Sequence, residues 1–305
     1  MMLILNGSKS TLLGEKIAID LGIKFENVST RVFPDGETYV RINTDVKGRD
    51  VVIVQTMFPD QNDSLMEFLL IADAAKEMGA KNIIGVVPYL AYSRQDRKFQ
   101  PGEALSIKTV ANLMKAVGVN KLITVDTHYQ HVKPGEFDLF GIPCINVSAG
   151  RLLLDHLKEK VDKDLMTIGP DLGSSEMIKY ATGEEKILKK VKKCPICGKP
   201  AEQCQCRVKK KKYEITEVVS EIDFTGKNVV ILDDIIASGS TMINAVKKAK
   251  SEGANKVAAA ATHGLFMKDS LIKLKELTDY LVVTDSIFTP VSNVSVAPLI
   301  IEALK

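Results

Sequence analysis

Apolar, β-branched runs alternate with stretches of helical period along most of the chain. The short apolar runs predict strands at Met2–Leu5, Val51–Gln55, Asn82–Pro88, Lys121–Val125, Met166–Gly169, Asn228–Leu232, Lys256–Ala261 and Tyr280–Val283. Between several of them, amphipathic stretches predict helices at Ser64–Met78, Ala104–Val117, Gly150–Val161 and Thr241–Glu252. Strand, helix, strand at this spacing implies an α/β fold, a mainly parallel sheet flanked by helices on both faces. Phe33–Ile42 breaks the rhythm: its Pro-Asp-Gly predicts the turn of a short antiparallel excursion. The pattern divides into two strand-rich α/β domains, residues 1–147 and 148–305, with a terminal helix at Val296–Lys305 that could pack on either. A segment rich in lysine and cysteine, at about residues 186–213, interrupts the second domain after a helix predicted at Ser174–Thr182.

The predicted strands end in groups that can ligate, donate or accept. The ends read Gln55-Thr56, Pro88-Tyr89, Asp126-Thr127-His128, Gly169-Pro170-Asp171, Asp233-Asp234, Thr262-His263-Gly264 and Thr284-Asp285-Ser286. One or two polar ends are ordinary turn chemistry. A whole series argues for a site, because ligands of open α/β sheets sit beyond the carboxyl ends of the strands. The stretch from Val229 to Val246 is the most specific: Asp233-Asp234, then Ala237-Ser238-Gly239-Ser240-Thr241 opening a helix. Backbone N–H groups, hydroxyls and a helix N-terminus form an anion cradle. The two acids cannot serve a phosphate directly, but they suit ribose hydroxyls or a divalent metal held by phosphates. The plain alternative is a Ser/Thr cap with two incidental acids.

Composition adds three constraints. A chain of 305 residues, 45% hydrophobic, is long enough for a large core and for two domains. No apolar run reaches the roughly 18 residues that span a bilayer. The opening MMLILNGSKS reads as a first strand running into a polar turn rather than as a leader, so the expectation is a cytoplasmic protein without a membrane partner. The net charge of +3 hides an asymmetry: Lys186–Lys212 carries +10, which leaves −7 for the remainder. Such a run is either a solvated face or a site for polyanions. The same segment holds Cys194-Pro-Ile-Cys197 and Cys204-Gln-Cys206. In a cytosolic setting, two close cysteine pairs favour metal over disulfide, here four soft ligands for a structural Zn²⁺. A redox or unliganded cluster is the other reading. Cys144 stands alone near a strand and reads as core.

Several motifs occur in a fixed order: Phe33-Pro-Asp-Gly-Glu37, Tyr92-Ser-Arg94-Gln95-Asp96, Val125-Asp-Thr-His128, Gly169-Pro-Asp171, Leu232-Asp-Asp, Ala261-Thr-His-Gly-Leu-Phe266 and Val283-Thr-Asp-Ser-Ile287. Together they resemble the ribose-phosphate pyrophosphokinase (PRPP synthetase) family over nearly the whole chain. The resemblance implies two phosphoribosyltransferase-like domains, the first on the ATP side and the second on the ribose 5-phosphate side, in a homo-oligomer built from dimers. It implies transfer of the pyrophosphoryl group of ATP to the 1-hydroxyl of ribose 5-phosphate, giving PRPP and AMP for nucleotide biosynthesis. It places Phe33, Asp35, Gly36 and Glu37 on the adenine of a neighbouring subunit, and Arg94 and Gln95 on ATP. It makes His128 and Asp171 ligands of Mg²⁺. Ribose 5-phosphate falls to Asp233, Asp234, Ala237, Ser238, Gly239, Ser240 and Thr241.

The chain departs from the family where catalysis needs a cation. The usual Lys-x-Arg on an outgoing strand is absent. Two lysine pairs can stand in for it, Lys210 and Lys212 or Lys190 and Lys192, and the cysteine knuckle sits where a mobile loop belongs. The spacing to Thr216-Glu217-Val218 favours Lys210 and Lys212. Lysine lacks the bidentate fork of arginine. Gly173-Ser174-Ser175 replaces a Gly-Gly, and His131 lies in a lengthened loop. A catalytically silent, nucleotide-binding relative is the alternative reading. Nucleic-acid binding has little behind it, because Tyr213 is the one aromatic beside the clustered lysines.

Overall fold

The computed structural model describes residues 2–129, 132–193, 196–197, 206, 214–219 and 222–305, with backbone alone for 189–193 and 214–219. The chain divides into two compact units. Unit 1 holds Met1–Ala149, Thr262–Leu265 and Val283–Lys305; unit 2 holds Gly150–Ala261 and Phe266–Val282.

The first stretch of unit 1 comprises β1 (Met2–Asn6), α1 (Thr11–Leu21), β2 (Lys24–Asn27), β3 (Ser29–Val32), β4 (Thr38–Arg41), β5 (Asp50–Val54), α2 (Gln61–Glu77), β6 (Asn82–Val86), α3 (Ser106–Ala116), β7 (Lys121–Val125), β8 (Gly135–Asp138) and β9 (Pro143–Val147). Among the described residues, its main sheet runs β2-β1-β5-β6-β7-β9-β8, parallel except for the edge strand β8. Leu3–Leu5, Val51–Val54 and Leu122–Ile123 are buried, because helices cover both faces of a parallel sheet and each strand then reads as one apolar run. Gly85 in β6 marks a close approach of helix and sheet. A Cβ there would lie 2.6 Å from a Leu122 methyl and 2.8 Å from the Phe68 ring of α2. The excursion predicted around Pro-Asp-Gly is the separate antiparallel hairpin β3–β4, with Gly36 in the left-handed region at φ 96°.

Unit 2 begins with α4 (Gly150–Lys160), β10 (Met166–Ile168) and α5 (Ser175–Thr182), followed by the antiparallel pair β11 (Lys189–Lys193) and β12 (Glu214–Val219). It continues with β13 (Asn228–Ile236), α6 (Ser240–Ser251), β14 (Lys256–Gly264), α7 (Ser270–Leu277) and β15 (Tyr280–Thr284). The last two strands end in residues assigned to unit 1, as do β16 (Ser292–Val294) and α8 (Ala297–Leu304). This sheet runs β10-β13-β14-β15-β16. The terminal helix, left open by the sequence, packs with α1 inside unit 1.

Two strands are longer than their apolar runs. Asn228–Leu232 was expected, yet β13 continues through Asp233 and Asp234 to Ile236. Lys256–Ala261 was expected, yet β14 includes Thr262, His263 and Gly264. Ladder hydrogen bonds do not require apolar side chains, so polar residues that face a ligand end can remain in the strand. His156 on α4 does not face open solvent. It is half-buried, and its Nε2 lies 3.0 Å from the Tyr280 hydroxyl.

Candidate active site

In unit 1, the carboxyl end of β7 turns sharply. Asp126 lies in the left-handed region at φ 37°, a conformation aspartate tolerates better than most residues. Its Oδ2 accepts from the Ala149 N–H at 2.9 Å and the Thr262 hydroxyl at 2.6 Å. The Thr127 N–H donates to Asn146 Oδ1 at 3.0 Å, and the Thr127 hydroxyl is buried with no hydrogen-bond partner among the described residues. His128 follows, half-buried, at the end of this braced turn. His131 lies outside the described residues. His263 is a strut. Its Nε2 donates to the Val125 carbonyl at 2.8 Å, its Nδ1 faces the Ser286 hydroxyl at 2.9 Å, and the Tyr89 ring packs edge-on at 5.1 Å. Sequence reasoning did not find Asp126 or Thr262 as supports. Their signal was three-dimensional, since 136 positions separate them.

Two loops of unit 1 are closed by the chain's own carboxylates. Glu67, buried on α2, accepts from the Ser8 N–H at 2.7 Å and the Ser8 hydroxyl at 2.6 Å. These bonds tie the β1–α1 loop to α2. Glu103 Oε2 accepts from the N–H groups of Phe99 at 2.6 Å and Gln100 at 3.0 Å, shaping the segment that follows Arg94 and Gln95. Arg94 is exposed, and Gln95 is held by a bond from its Nε2 to the Arg97 carbonyl at 3.2 Å. On the β3–β4 hairpin, Phe33 closes on Glu37 through a backbone bond of 2.8 Å, and Asp35 Oδ1 accepts from the Glu37 N–H at 3.2 Å.

In unit 2, β10 and β13 run parallel with Ile168 opposite Ile231, so Gly169-Pro170-Asp171 leaves the sheet beside Leu232-Asp233-Asp234. Asp233 is buried. Burial pushes its carboxyl well above the usual carboxylate range, and the charges of Asp234 and Asp171 push it further. The Asp234 N–H donates to Asp233 Oδ1 at 3.0 Å. Asp171 Oδ1 accepts from the Gly173 N–H at 2.8 Å, and the buried Ser174 hydroxyl donates to the Asp171 carbonyl at 2.8 Å. The Ser-for-Gly departure at Ser174 therefore locks the turn that presents Asp171.

The Ala237–Thr241 loop follows at once. Gly239 adopts φ 75°, and a Cβ there would meet the Ser270 Cβ at 2.7 Å. The Phe266 and Met267 N–H groups donate to the carbonyls of Ile236 and Ala237 at 3.1 and 2.9 Å. The Ser238 and Ser240 hydroxyls lie 3.1 Å apart at the N-terminus of α6. Lys248 and Lys250 occupy the last turn of that helix, so the macrodipole is neutralised at its far end and positive at the loop.

Of the lysine pairs, Lys190 and Lys192 lie on β11, and Lys210 and Lys212 lie outside the described residues. Ile187 pairs with Gly169, so β11 departs from the turn that carries Asp171. Cys197 is exposed and Cys206 half-buried; Cys194 and Cys204 lie outside the described residues. Among the described residues, no group of three or more His, Cys, Asp or Glu is arranged to hold a metal ion. Cys144 is core, as expected: it is buried, its Sγ faces the Ile142 carbonyl at 3.2 Å, and burial pushes its thiol up to about 12.

Fold and strand-end chemistry define a parallel α/β protein with polar strand ends and a loop of the phosphate-cradle type. Comparison with known proteins narrows this class. Residues 2–118 match the N-terminal domain of ribose phosphate pyrophosphokinase, and residues 196–300 match the phosphoribosyl synthetase-associated domain. A ribose-phosphate pyrophosphokinase of Methanopyrus kandleri is 36% identical, covering 100% of this chain and 99% of the relative. That of Helicobacter hepaticus is 34% identical over 99% of this chain and 94% of its own. The crystal structure of phosphoribosylpyrophosphate synthetase from Mycobacterium smegmatis superimposes with a TM-score of 0.81 at 26% identity, covering 99% of this chain and 97% of that one. The chain belongs to the ribose-phosphate pyrophosphokinase family.

Proposed function

We infer that the chain transfers the β,γ-pyrophosphoryl group of ATP to the 1-hydroxyl of ribose 5-phosphate. The hydroxyl oxygen bonds to the β-phosphorus, the bond from that phosphorus to the α–β bridging oxygen breaks, and AMP leaves. The hydroxyl proton is lost and PRPP is the other product. End-to-end likeness to ribose-phosphate pyrophosphokinases carries the reading. His128, Asp171, Arg94 and Asp233 are all present, which weighs against a catalytically silent relative; the missing Lys-x-Arg is the one feature in its favour.

Phosphoryl transfer is mostly positioning and charge neutralisation. We assign the ribose hydroxyls to Asp233 and Asp234 and the 5-phosphate to the Ala237–Thr241 loop. Phe33, Asp35, Gly36 and Glu37 take the adenine of a neighbouring subunit in a homo-oligomer, and Arg94 and Gln95 hold ATP. Mg²⁺ fits the donor chemistry. The burial and repulsion that raise the Asp233 carboxyl are what a divalent cation relieves. His128 and Asp171 are its proposed ligands, and the ion supplies neutralisation of the triphosphate when bound. A lysine pair supplies the cation: Lys210 and Lys212, by their spacing to Thr216-Glu217-Val218, or else Lys190 and Lys192 on β11. Cys194, Cys197, Cys204 and Cys206 are proposed to hold a structural Zn²⁺ at the tip of the β11–β12 hairpin.

A ³¹P NMR time course with ATP, Mg²⁺ and ribose 5-phosphate tests the reaction. AMP and PRPP should appear together, whereas ADP would mean a different kinase reaction. Substitution of each lysine pair by alanine should lower kcat for Lys210 and Lys212 and spare it for Lys190 and Lys192; the reverse would assign the role to Lys190 and Lys192.

A further inference from the structure

The β3–β4 hairpin carries more order than its exposure requires. Arg31 pairs directly with Tyr39 across the ladder, and Phe33 closes on Glu37. Side chains two positions apart share a face. Arg31, Phe33, Glu37 and Tyr39 therefore project from one side of the hairpin, and Val32, 66% exposed, lies on the other. On the shared side, the Arg31 guanidinium lies 4.5 Å from the centroid of the Tyr39 ring and 4.9 Å from that of Phe33. The two rings meet edge to face, with centroids 5.9 Å apart at 77°. One cation thus lies against both rings, and Phe33 remains 38% exposed.

We propose that Arg31 and Tyr39 are positioning residues that hold the Phe33 ring for stacking on the adenine of the nucleotide donor. The proposal rests on the assignment of Phe33 to the base. A phenylalanine on a free hairpin samples several rotamers and loses that freedom on binding. A guanidinium packed between Phe33 and Tyr39 removes the freedom beforehand. The arrangement is particular to these residue types. Lysine offers a point charge without a flat surface, and a small residue at position 39 leaves Arg31 without its second ring. β3 is largely exposed, and β4, half-buried, packs on α2; Arg31, Phe33 and Tyr39 themselves lie outside the buried core, so substitutions there leave it intact.

The test uses the full-length enzyme and four variants, Arg31→Ala, Arg31→Lys, Tyr39→Leu and Phe33→Ala. Steady-state kinetics are paired with inhibition by adenosine, which carries the base but no phosphate. Cation–π contacts at exposed sites predict that Arg31→Ala raises both KM for ATP and Ki for adenosine by about two- to fivefold. Tyr39→Leu should do the same to a smaller degree, with Arg31→Lys between wild type and Arg31→Ala. The loss should fall on KM for ATP, not on kcat or KM for ribose 5-phosphate. A rise for ATP with adenosine unchanged would make Arg31 a direct phosphate contact and overturn the proposal. Unchanged values for Arg31→Ala beside a weakened Phe33→Ala would overturn the clamp and keep the base assignment. If Phe33→Ala also binds both ligands normally, the base assignment itself falls.

Discussion

At the scale of single residues, Asp233 is held against its own stability. Its carboxylate is buried and faces the charges of Asp234 and Asp171, so the folded state disfavours its ionised form. Asp233→Asn should therefore raise the thermal unfolding midpoint of the substrate-free protein at neutral pH. It should also raise KM for ribose 5-phosphate by about tenfold, the range of a hydrogen bond to a charged group. Differential scanning fluorimetry and kinetics on one preparation check both; a lower midpoint would mean that the fold needs the charge. His156 gives the pH prediction. Burial lowers its pKa below the ordinary 6.5, and nearby Lys160 adds to this. The unfolded chain then takes up the proton first, so this residue costs stability as pH falls from 6.5 towards its lowered value. His156→Gln should flatten that part of a stability-against-pH curve measured by urea unfolding, and an unchanged slope would exclude the residue as its source.

At the scale of elements, the central strands were legible because burial on both faces writes them as apolar runs; Lys121–Val125 is identical in prediction and structure. Elements with weak patterns were not. In β2, all four residues are exposed or half-buried, and β8 is a short edge strand. The Ala237–Thr241 turn was legible because a serine-glycine run after an apolar strand marks the start of a helix. The bracing of Asp126 by Thr262 was not, because it joins distant strands. The lysine- and cysteine-rich segment is flanked by the antiparallel pair β11 and β12. If zinc orders its tip, a Cys194→Ser/Cys197→Ser variant should lose the metal in an elemental assay. It should also lose kcat more than affinity for ribose 5-phosphate. A folded, metal-free variant with full turnover would dismiss that role.

At the scale of the molecule, unit 1 is discontinuous. Its β7 turn depends on Thr262, which binds Asp126, and on His263, which binds the Val125 carbonyl. Thr56 of the first stretch donates to the Ser286 carbonyl at 2.7 Å, and Lys121 reaches the Ala303 carbonyl at 3.5 Å. A fragment of residues 1–149 contains all seven strands of the apolar sheet and lacks all of these partners. It should show no sharp thermal transition by circular dichroism. Adding a peptide of residues 283–305 should not restore one, because Thr262 and His263 are still missing. A cooperative transition in the fragment alone would show that the late segments are accessory.

The same interleaving sets an order of events during synthesis. At about 5–20 residues per second, the segment that begins at Val283 follows Ala149 from the ribosome after a delay on the order of ten seconds. Throughout that interval the nascent first unit has its seven strands but lacks the partners of Asp126 and of the Val125 carbonyl at the end of its sheet. Unit 2 is largely translated meanwhile, although it begins later in the chain. The half that starts first is therefore the half that finishes last, and for that interval it is a natural client for a holding chaperone.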